Sequence, residues 1–290
     1  MKKLMIIAKI VEECLMGITN NIMAENSKIS WCQHSANLVW GCARSGIGCQ
    51  NCYAEVLSKR WGHDLWGHDK PRKIVKSVWS DLAKFQKLAK EAGEIHRVFV
   101  GSMMDIFEKP MPLIDNKGKE LAYMSDFLRS KLFNEVIPAS PNLMFLLLTK
   151  RPSNINKYIP ESWKINPPSN VMFGTSPVNQ ETANTLIPQL LQVKGKRFLS
   201  VEPMLDEINL RQTYLPKGRL FGDDKDWWLQ GINWLIVGGE SGHYRRPFNI
   251  DWARSLRDQC KSANVSFFFK QIDGVNKDFP LDLQIQQFPE

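Results

Sequence analysis

Short, nearly continuous runs of apolar residues alternate along this chain with stretches in which apolar residues recur every three or four positions. The apolar runs lie at residues 96–101, 143–150, 170–176, 196–203, 233–241 and 265–271. Such runs are typical of parallel β-strands that are covered on both faces. Helical spacing fits residues 77–93, 180–193 and 251–264, with Gly93 as the expected C-cap of the first helix and Asp251 as the expected N-cap of the last. The alternation predicts an α/β fold whose parallel sheet is open or closed into a barrel.

Polar residues follow each apolar run at the point where the strand would end. They are Ser102, Asp105, Thr149, Lys150, Arg151, Thr175, Ser176, Glu202, Glu240, Ser241, Lys270 and Gln271. Because parallel strands end at the same edge of a sheet, we expect these side chains to gather there, where ligands bind in both open α/β sheets and barrels. Each of them alone is explained as an ordinary loop residue. Taken together, they favour one shared site.

The length of 290 residues suits one large domain, and we expect it to occupy residues 27–290. Lys9, Glu12 and Glu13 interrupt the apolar N-terminal stretch, and nothing approaches the run of about 20 apolar residues that a membrane span needs. We therefore expect a cytoplasmic protein with no membrane partner. The formal net charge of +8 favours approach to polyanions, but it does not distinguish nucleic acid from a phosphorylated small molecule.

The stretch WGCARSGIGCQNCYAE, residues 40–55, places Cys42, Cys49 and Cys52 close together, and residues 41–52 are called the cysteine loop below. In a reducing compartment, clustered cysteines are more often metal ligands or catalytic groups than disulfides. One interpretation is a [4Fe–4S] cluster in which three thiolates leave one iron open to an exogenous ligand. The alternatives are a zinc ion completed by Cys32 or His34, and a set of inert buried thiols.

The stretch SKISWCQHSANLVWGCARSGIGCQNCYAE resembles the start of a phage-associated three-cysteine-motif family at the edge of the radical S-adenosylmethionine superfamily. Later stretches are similar as well: VFVGSMMDIF, LLLTKRP, FLSVEPML, WLIVGGESG, RPFNIDWARSLRDQC and FFFKQ. The resemblance runs from about residue 27 to residue 271. Relatives begin close to MAENSKISW, so Met23 is the expected natural start and residues 1–22 are an optional extension or the product of a misassigned start. With the domain expected to begin at residue 27, residues 1–26 would form an N-terminal extension that is either disordered or misassigned.

This resemblance implies a partial or full TIM-like (βα) barrel of the radical S-adenosylmethionine type. It implies that Cys42, Cys49 and Cys52 bind a [4Fe–4S] cluster whose open iron chelates S-adenosylmethionine, with Tyr53 beside the cluster. One electron from a donor such as flavodoxin or ferredoxin then yields a 5′-deoxyadenosyl radical that abstracts hydrogen from the substrate. The expected cofactor contacts are Ser102, Asp105, Thr175, Gly238, Gly239, Glu240 and Ser241.

Two features depart from the superfamily pattern. The cysteines are separated by six and then two residues instead of three and then two. The stretch GGES, residues 238–241, resembles the superfamily's Gly-Gly-Glu segment, which meets the methionine amino group. It follows the expected sixth strand, however, whereas the superfamily segment follows the second, so Ser102 or Asp105 is the alternative for that contact.

Some phage members of the family resemble enzymes of thymidine hypermodification, in which an N-linked glycyl group on thymine becomes C-linked. The resemblance therefore implies an isomerase acting on a modified nucleotide or DNA, with another nucleobase or a small metabolite as the alternative substrate. A non-enzymatic, zinc-bound module that binds nucleic acid is the alternative from a different functional class. Trp61 and Trp66 could stack on an exposed base or pack under a loop. The expected catalytic residues are Glu202 and Lys150, and the expected substrate contacts are Arg151 and Lys270. Glu202 would need Lys150 or Lys270 as a partner if it is buried.

Overall fold

The computed structural model describes residues 27–211, 228–242, 244–273 and 279–289. The expected extension, residues 1–26, lies outside the described residues. The described strands are β1 (His34–Ala36), β2 (Val39–Trp40), β3 (Arg72–Ile74), β4 (His96–Val100), β5 (Pro112–Ile114), β6 (Glu120–Met124), β7 (Leu143–Thr149), β8 (Val171–Thr175), β9 (Lys196–Val201), β10 (Trp234–Gly238) and β11 (Ser266–Gln271). The described α-helices are α1 (Tyr53–Arg60), α2 (Val78–Ala92), α3 (Ser125–Lys131), α4 (Ile155–Tyr158), α5 (Glu161–Ile165), α6 (Gln180–Leu191) and α7 (Ile250–Ala263).

Seven parallel strands form the main sheet of the described chain, in the order β1-β4-β7-β8-β9-β10-β11. The sheet curls into a half-barrel, so the expectation of a partial TIM-like barrel is confirmed at the level of an α/β half-barrel. All six apolar runs are strands of this sheet. Strand β1 was not predicted, because it has only three residues and contains His34 and Ser35.

Alternate residues of each strand face opposite sides of the sheet, and both sides are apolar. The outward side chains, such as Leu199 and Val237, join the helices in the larger core. The inward side chains form a second cluster inside the half-barrel, composed of Trp31, Cys32, Phe99, Leu146, Met172, Phe198, Trp234, Ile236 and Phe268. Two residues beyond Phe198 and Phe268, the same inward face carries Ser200 and Lys270. The interior therefore changes from an aromatic floor to a polar cavity toward the carboxyl edge of the sheet.

The C-terminal segment 279–289 runs along β11 and across the floor of the half-barrel. Phe269 N–H donates to Ile285 O at 2.8 Å, and Trp234 Nε1–H donates to Gln287 O at 2.9 Å. The guanidinium of Arg97, on β4, lies 3.7 Å from the ring centroid of Phe288. This cation–π contact links the segment beside the last strand of the sheet to its second strand.

A second sheet of four strands, β2-β3-β5-β6, stands beside the half-barrel in the described chain. It was not predicted, because its strands have two to five residues and two of them are charged or exposed. Its strand β2 leads directly into the cysteine loop. The small sheet therefore supplies the entrance to that loop.

The expected helices at 77–93, 180–193 and 251–264 are confirmed as α2, α6 and α7. Gly93 caps α2 with φ 68°, as predicted. The expectation that Asp251 caps α7 is wrong: the N-cap is Asn249, whose side chain accepts a hydrogen bond from the backbone N–H of Asp251. Either residue type can cap a helix, and the observed N-cap lies two positions earlier than expected. None of the helices in the described ranges has both the length and the apolar character that a bilayer crossing requires.

Gly174 provides a test of the packing inside the half-barrel. It is paired in register with Phe198, and a Cβ atom added at Gly174 would lie 2.3 Å from that ring. Gly174→Ala should therefore lower the free energy of unfolding by about 1–3 kcal/mol, because the ring has to move within a packed cluster. Urea denaturation measures the change, and Gly46→Ala is the matched control, since nothing lies within 4 Å of that added Cβ. Equal stability of the two variants would contradict this description of the floor.

Candidate active site

A cavity of about 450 Å³ opens at the carboxyl edge of the half-barrel, above the aromatic floor. Its lining includes the following residues predicted from the sequence: Cys42, Cys49, Cys52, Tyr53, Ser102, Asp105, Lys150, Arg151, Glu202, Gly239, Glu240, Ser241 and Lys270. Two predicted residues do not line it. Thr175 is fully buried and donates to Thr149 O at 2.8 Å, and Gly238 lies beneath Glu202, where an added Cβ would be 2.9 Å from Glu202 Oε1.

The cysteine loop forms one wall of this cavity. It starts at Gly41, whose φ of 115° and close approach to Leu65 O (2.6 Å from an added Cβ) require glycine. A single 3₁₀ turn, Ile47–Cys49, carries the middle cysteine, and Cys52 is the N-cap residue of α1. Tyr53, the first residue of α1, is 44% exposed because its ring faces the cavity, while its hydroxyl donates to Ser102 O at 2.8 Å.

The three thiols are free, and burial raises the pKa of two of them. Burial raises the pKa of the Cys42 thiol to about 12, and the carboxylates of Asp105 and Glu108 add to that rise. Burial also raises the pKa of the Cys52 thiol, although backbone N–H groups at the start of α1 and the ammonium of Lys150 act in the opposite direction. A cation bound in the cavity would stabilise both thiolates, since metal ions bind the deprotonated form.

The described residues contain no preassembled site for a single metal ion. Within the described ranges, no three His, Cys, Asp or Glu side chains converge closely enough to hold one metal ion. Cys32 and His34, the two expected candidates for a fourth zinc ligand, do not line the cavity. Cys32 belongs to the aromatic floor, and His34 stacks on Phe85 and lies 3.0 Å from His96 between ring nitrogens. Each thiolate of a four-iron cluster binds a different iron atom, so a cluster does not require the sulfurs to converge on one point.

A buried ion pair anchors the first half of the cysteine loop. Arg72 and Glu108 are joined by two hydrogen bonds of 2.8 Å, and the side chain of Arg72 is only 1% exposed. Glu108 Oε1 also accepts from Ala43 N–H at 3.0 Å, directly beside Cys42. The remaining donors of Arg72 bind the carbonyls of Leu65, Gly67 and Lys70. This pair therefore fixes both the cysteine loop and the loop before β3.

Asp105 and Arg151 form a second ion pair at the same end of the cavity. Arg151 Nη1 donates to Asp105 Oδ2 at 2.7 Å, and Nη2 donates to Ala43 O at 2.6 Å. Asp105 also accepts from Thr149 Oγ1 at 2.7 Å. Arg151 Nη1 lies 4.0 Å from Cys42 Sγ, so a cation stands next to that sulfur. Asp105 and Arg151, which were predicted as cofactor and substrate contacts, therefore also fix the surroundings of Cys42.

The carboxylate of Glu202 is paired with a cation, as expected for a buried charge. Lys270 Nζ lies 2.7 Å from Glu202 Oε1, and Ser200 Oγ donates to Oε2 at 3.1 Å. Of the two expected partners, Lys270 is therefore the one that pairs. Lys150 follows β7, which β8 separates from β9, and its Cε lies 3.4 Å from a Cβ added at Gly48. Its side chain therefore runs under the cysteine loop.

Glu240, the acidic residue of GGES, contacts the cysteine loop and the segment that follows β10. Arg246 donates to both carboxylate oxygens of Glu240, and Asn51 Nδ2 donates to Oε2 at 3.2 Å. Gly239 packs against the backbone just after β11, where a Cβ atom added at Gly239 would lie 2.0 Å from Ile272 O. Sequence reasoning missed Asn51, Arg72, Glu108 and Arg246. Arg72 and Arg246 lie in two short stretches that contain several basic residues, 70–76 and 243–247, and this was the signal that could have found them.

The two tryptophans of residues 61–66 have different positions. Trp61 stacks on Trp40 with ring centroids 4.9 Å apart, so it packs under a loop. Trp66 lines the cavity together with Arg44. Of these two residues, Trp66 is the one placed to contact a ligand in the cavity.

Residues 26–280 match the family described as "Protein of unknown function (DUF5131)", and this match covers most of the 290 residues. The chain belongs to the DUF5131 family. Searches of curated proteins and of solved structures found no match. The DUF5131 region contains every described strand of the half-barrel and the complete cysteine loop. It ends before Ile285 and Gln287, which form backbone hydrogen bonds with β11.

The Arg72–Glu108 pair of this DUF5131 protein leads to a stability prediction. Arg72→Met should lower the free energy of unfolding by about 3 kcal/mol, because it leaves a buried carboxylate without its cation. The double variant Arg72→Met/Glu108→Gln should recover about 1 kcal/mol or more, since it removes that charge and keeps an acceptor for Ala43 N–H. Arg254→Met is the control: Arg254 forms an exposed ion pair, so its loss should cost much less stability than the loss of Arg72. Equal losses for Arg72→Met and Arg254→Met in urea denaturation would show that the buried pair is not an anchor.

Proposed function

We propose that this protein is a radical S-adenosylmethionine enzyme that holds a [4Fe–4S] cluster through Cys42, Cys49 and Cys52. The observation that supports the proposal is the cavity at the carboxyl edge of the half-barrel. Three free thiols from one loop line it, and no histidine or further cysteine does so among the described residues. Three thiolates suit a four-iron cluster with one open iron, whereas a structural zinc site normally needs four protein ligands.

The donor set and its surroundings fit such a cluster. Gly41 and Gly48 let the loop pass close to its neighbours, where a side chain would not fit. The ring of Tyr53 closes one side of the cavity. When bound, the cluster and S-adenosylmethionine supply a 5′-deoxyadenosyl radical that removes a hydrogen atom from an unactivated carbon. That chemistry needs one electron, for which a reductant of the flavodoxin or ferredoxin class is the proposed partner in the cytoplasm.

The chain's own residues would bind and orient the ligands. The Lys150 ammonium lies close enough to lower the pKa of Cys52, and no carboxylate of the described residues forms an ion pair with it. Lys150 is therefore available to a carboxylate or phosphate group of a ligand. The Glu202–Lys270 pair lies at the inner end of the cavity, where it can exchange its mutual contact for hydrogen bonds to a polar ligand. The aromatic floor keeps water away from below.

A nucleobase is the proposed substrate class, and thymidine hypermodification is the proposed context. Trp66 and Arg44 at the cavity can stack on a base and contact a phosphate, and the net charge of +8 favours a polyanion. The proposed reaction converts an N-linked glycyl group on the thymine methyl carbon into a C-linked one. Substrate and product of this rearrangement contain the same atoms, so the step needs no net oxidant.

Replacement of one cysteine tests the proposed cluster. The wild-type protein, reconstituted without oxygen, should be brown, contain about four irons per chain, and release 5′-deoxyadenosine from S-adenosylmethionine with dithionite. Cys49→Ala should lose both the colour and the product. Cys260→Ala, which changes a buried cysteine of α7, should keep both. Retention of product by Cys49→Ala, or one zinc per colourless wild-type chain, would overturn the proposal.

The two tryptophans test the substrate class separately. Trp66→Leu should weaken binding of a thymidine nucleotide about tenfold, because one stacking contact to a base is lost. Trp61→Leu should leave that affinity unchanged and lower thermal stability instead, since Trp61 packs on Trp40. Calorimetric titration and thermal unfolding measure the two effects. A small metabolite is favoured over a nucleotide if Trp66→Leu binds as the wild type does.

A further inference from the structure

The second half of the cysteine loop is attached to the segment after β10, far along the sheet from where the loop begins. Cys42 and Ala43 lie beside Glu108, which follows the second strand of the sheet, whereas Asn51 contacts Glu240, which follows the sixth. The loop therefore crosses the top of the half-barrel. Along this path, Gly48 packs against Val178, which follows β8, with an added Cβ only 2.8 Å from Val178 Cγ1.

Hydrogen bonds join the two segments from both sides. Asn51 Nδ2 donates to Tyr244 O at 2.7 Å and to Glu240 Oε2 at 3.2 Å. In the other direction, Arg246 Nη1 donates to Ile47 O at 3.3 Å, next to the turn that carries Cys49. Asn51 lies between Cys49 and Cys52, and Ile47 lies two residues before Cys49. These contacts therefore hold the part of the loop that carries the last two cysteines.

The centre of this arrangement is the carboxylate of Glu240, whose side chain is 6% exposed. Arg246 binds it through the guanidinium and also through its backbone N–H at 2.7 Å. Burial acts to raise the pKa of Glu240, but the hydrogen bonds from Arg246 and Asn51 outweigh it and lower that pKa. Both oxygens of Glu240 are therefore occupied by the segment after β10 and by the cysteine loop.

We infer that Asn51, Glu240 and Arg246 form a clasp that positions Cys49 and Cys52, independently of the anchor that holds Cys42. The acidic residue of GGES then acts through the cysteine loop and is a positioning residue. Of the two attachments, the clasp is the more open one, since the side chain of Arg246 is 24% exposed and that of Arg72 only 1%. Only the catalytic consequence of this inference rests on the proposed function.

Cysteine reactivity in the metal-free protein tests the clasp without any cluster. Arg246→Ala should raise the rate of iodoacetamide alkylation at Cys49 and Cys52 about tenfold, because the hydrogen bonds from a charged group no longer hold their half of the loop. The rate at Cys42 should stay unchanged, since Glu108 and Arg151 hold that end. Mass spectrometry of peptides sampled over time gives the three rates in one experiment.

Two further variants separate positioning from general loosening. Arg245→Ala is the matched control, because Arg245 is the adjacent arginine and pairs with Asp273 instead of the cysteine loop. It should leave all three rates at the wild-type value. Arg246→Lys keeps the charge but not the planar fork, so it should restore part of the protection.

The inference is overturned if Arg246→Ala changes no rate, or if it raises the rates at all three cysteines equally. In a reconstituted sample, Arg246→Ala should also lower the iron content, whereas a residue that only contacts S-adenosylmethionine would leave iron content and thiol rates unchanged and weaken cofactor binding. If the wild-type protein binds no cluster at all, the proposed function fails while the alkylation rates still decide the clasp.

Discussion

The attachment of the cysteine loop to the carboxyl edge of the sheet is the constraint on which the site depends. A loop with glycines at 41, 46 and 48 has many conformations, and fixing one of them opposes a large backbone entropy. Buried carboxylates supply that fixation: Glu108 binds the backbone beside Cys42, and Glu240 binds Asn51 beside Cys52. Each carboxylate is neutralised by an arginine, so burial of the charge does not leave it unpaired.

The half-barrel positions these groups because its strands are parallel. Each strand delivers its last inward residue to the same edge, which brings Ser200, Glu202 and Lys270 together above an aromatic floor. The cavity is consequently apolar below and charged above, with its cysteines on one wall. An arrangement of this kind suits a bound cofactor whose reactive centre must be kept from water while its polar groups are held.

Sequence reasoning could find the strands and the long helices, because their hydrophobic period is a local property. It could also place most cavity residues, since the ends of parallel strands must meet. It could not show that Arg72 and Arg246 bind carboxylates, because a paired buried arginine and an exposed one look the same in a sequence. The short strands of the second sheet were missed for a related reason: tertiary packing, and not their own pattern, makes them strands.

The account depends most on the claim that three thiolates hold a four-iron cluster with one open iron. Electron paramagnetic resonance of the anaerobically reconstituted and reduced protein, recorded with and without S-adenosylmethionine, tests this claim most directly. The account predicts the signal of a reduced [4Fe–4S] cluster whose g values change when the cofactor is added, because the cofactor binds the open iron. A cluster signal that is identical with and without the cofactor would contradict it, as would a reduced protein that contains metal but gives no cluster signal.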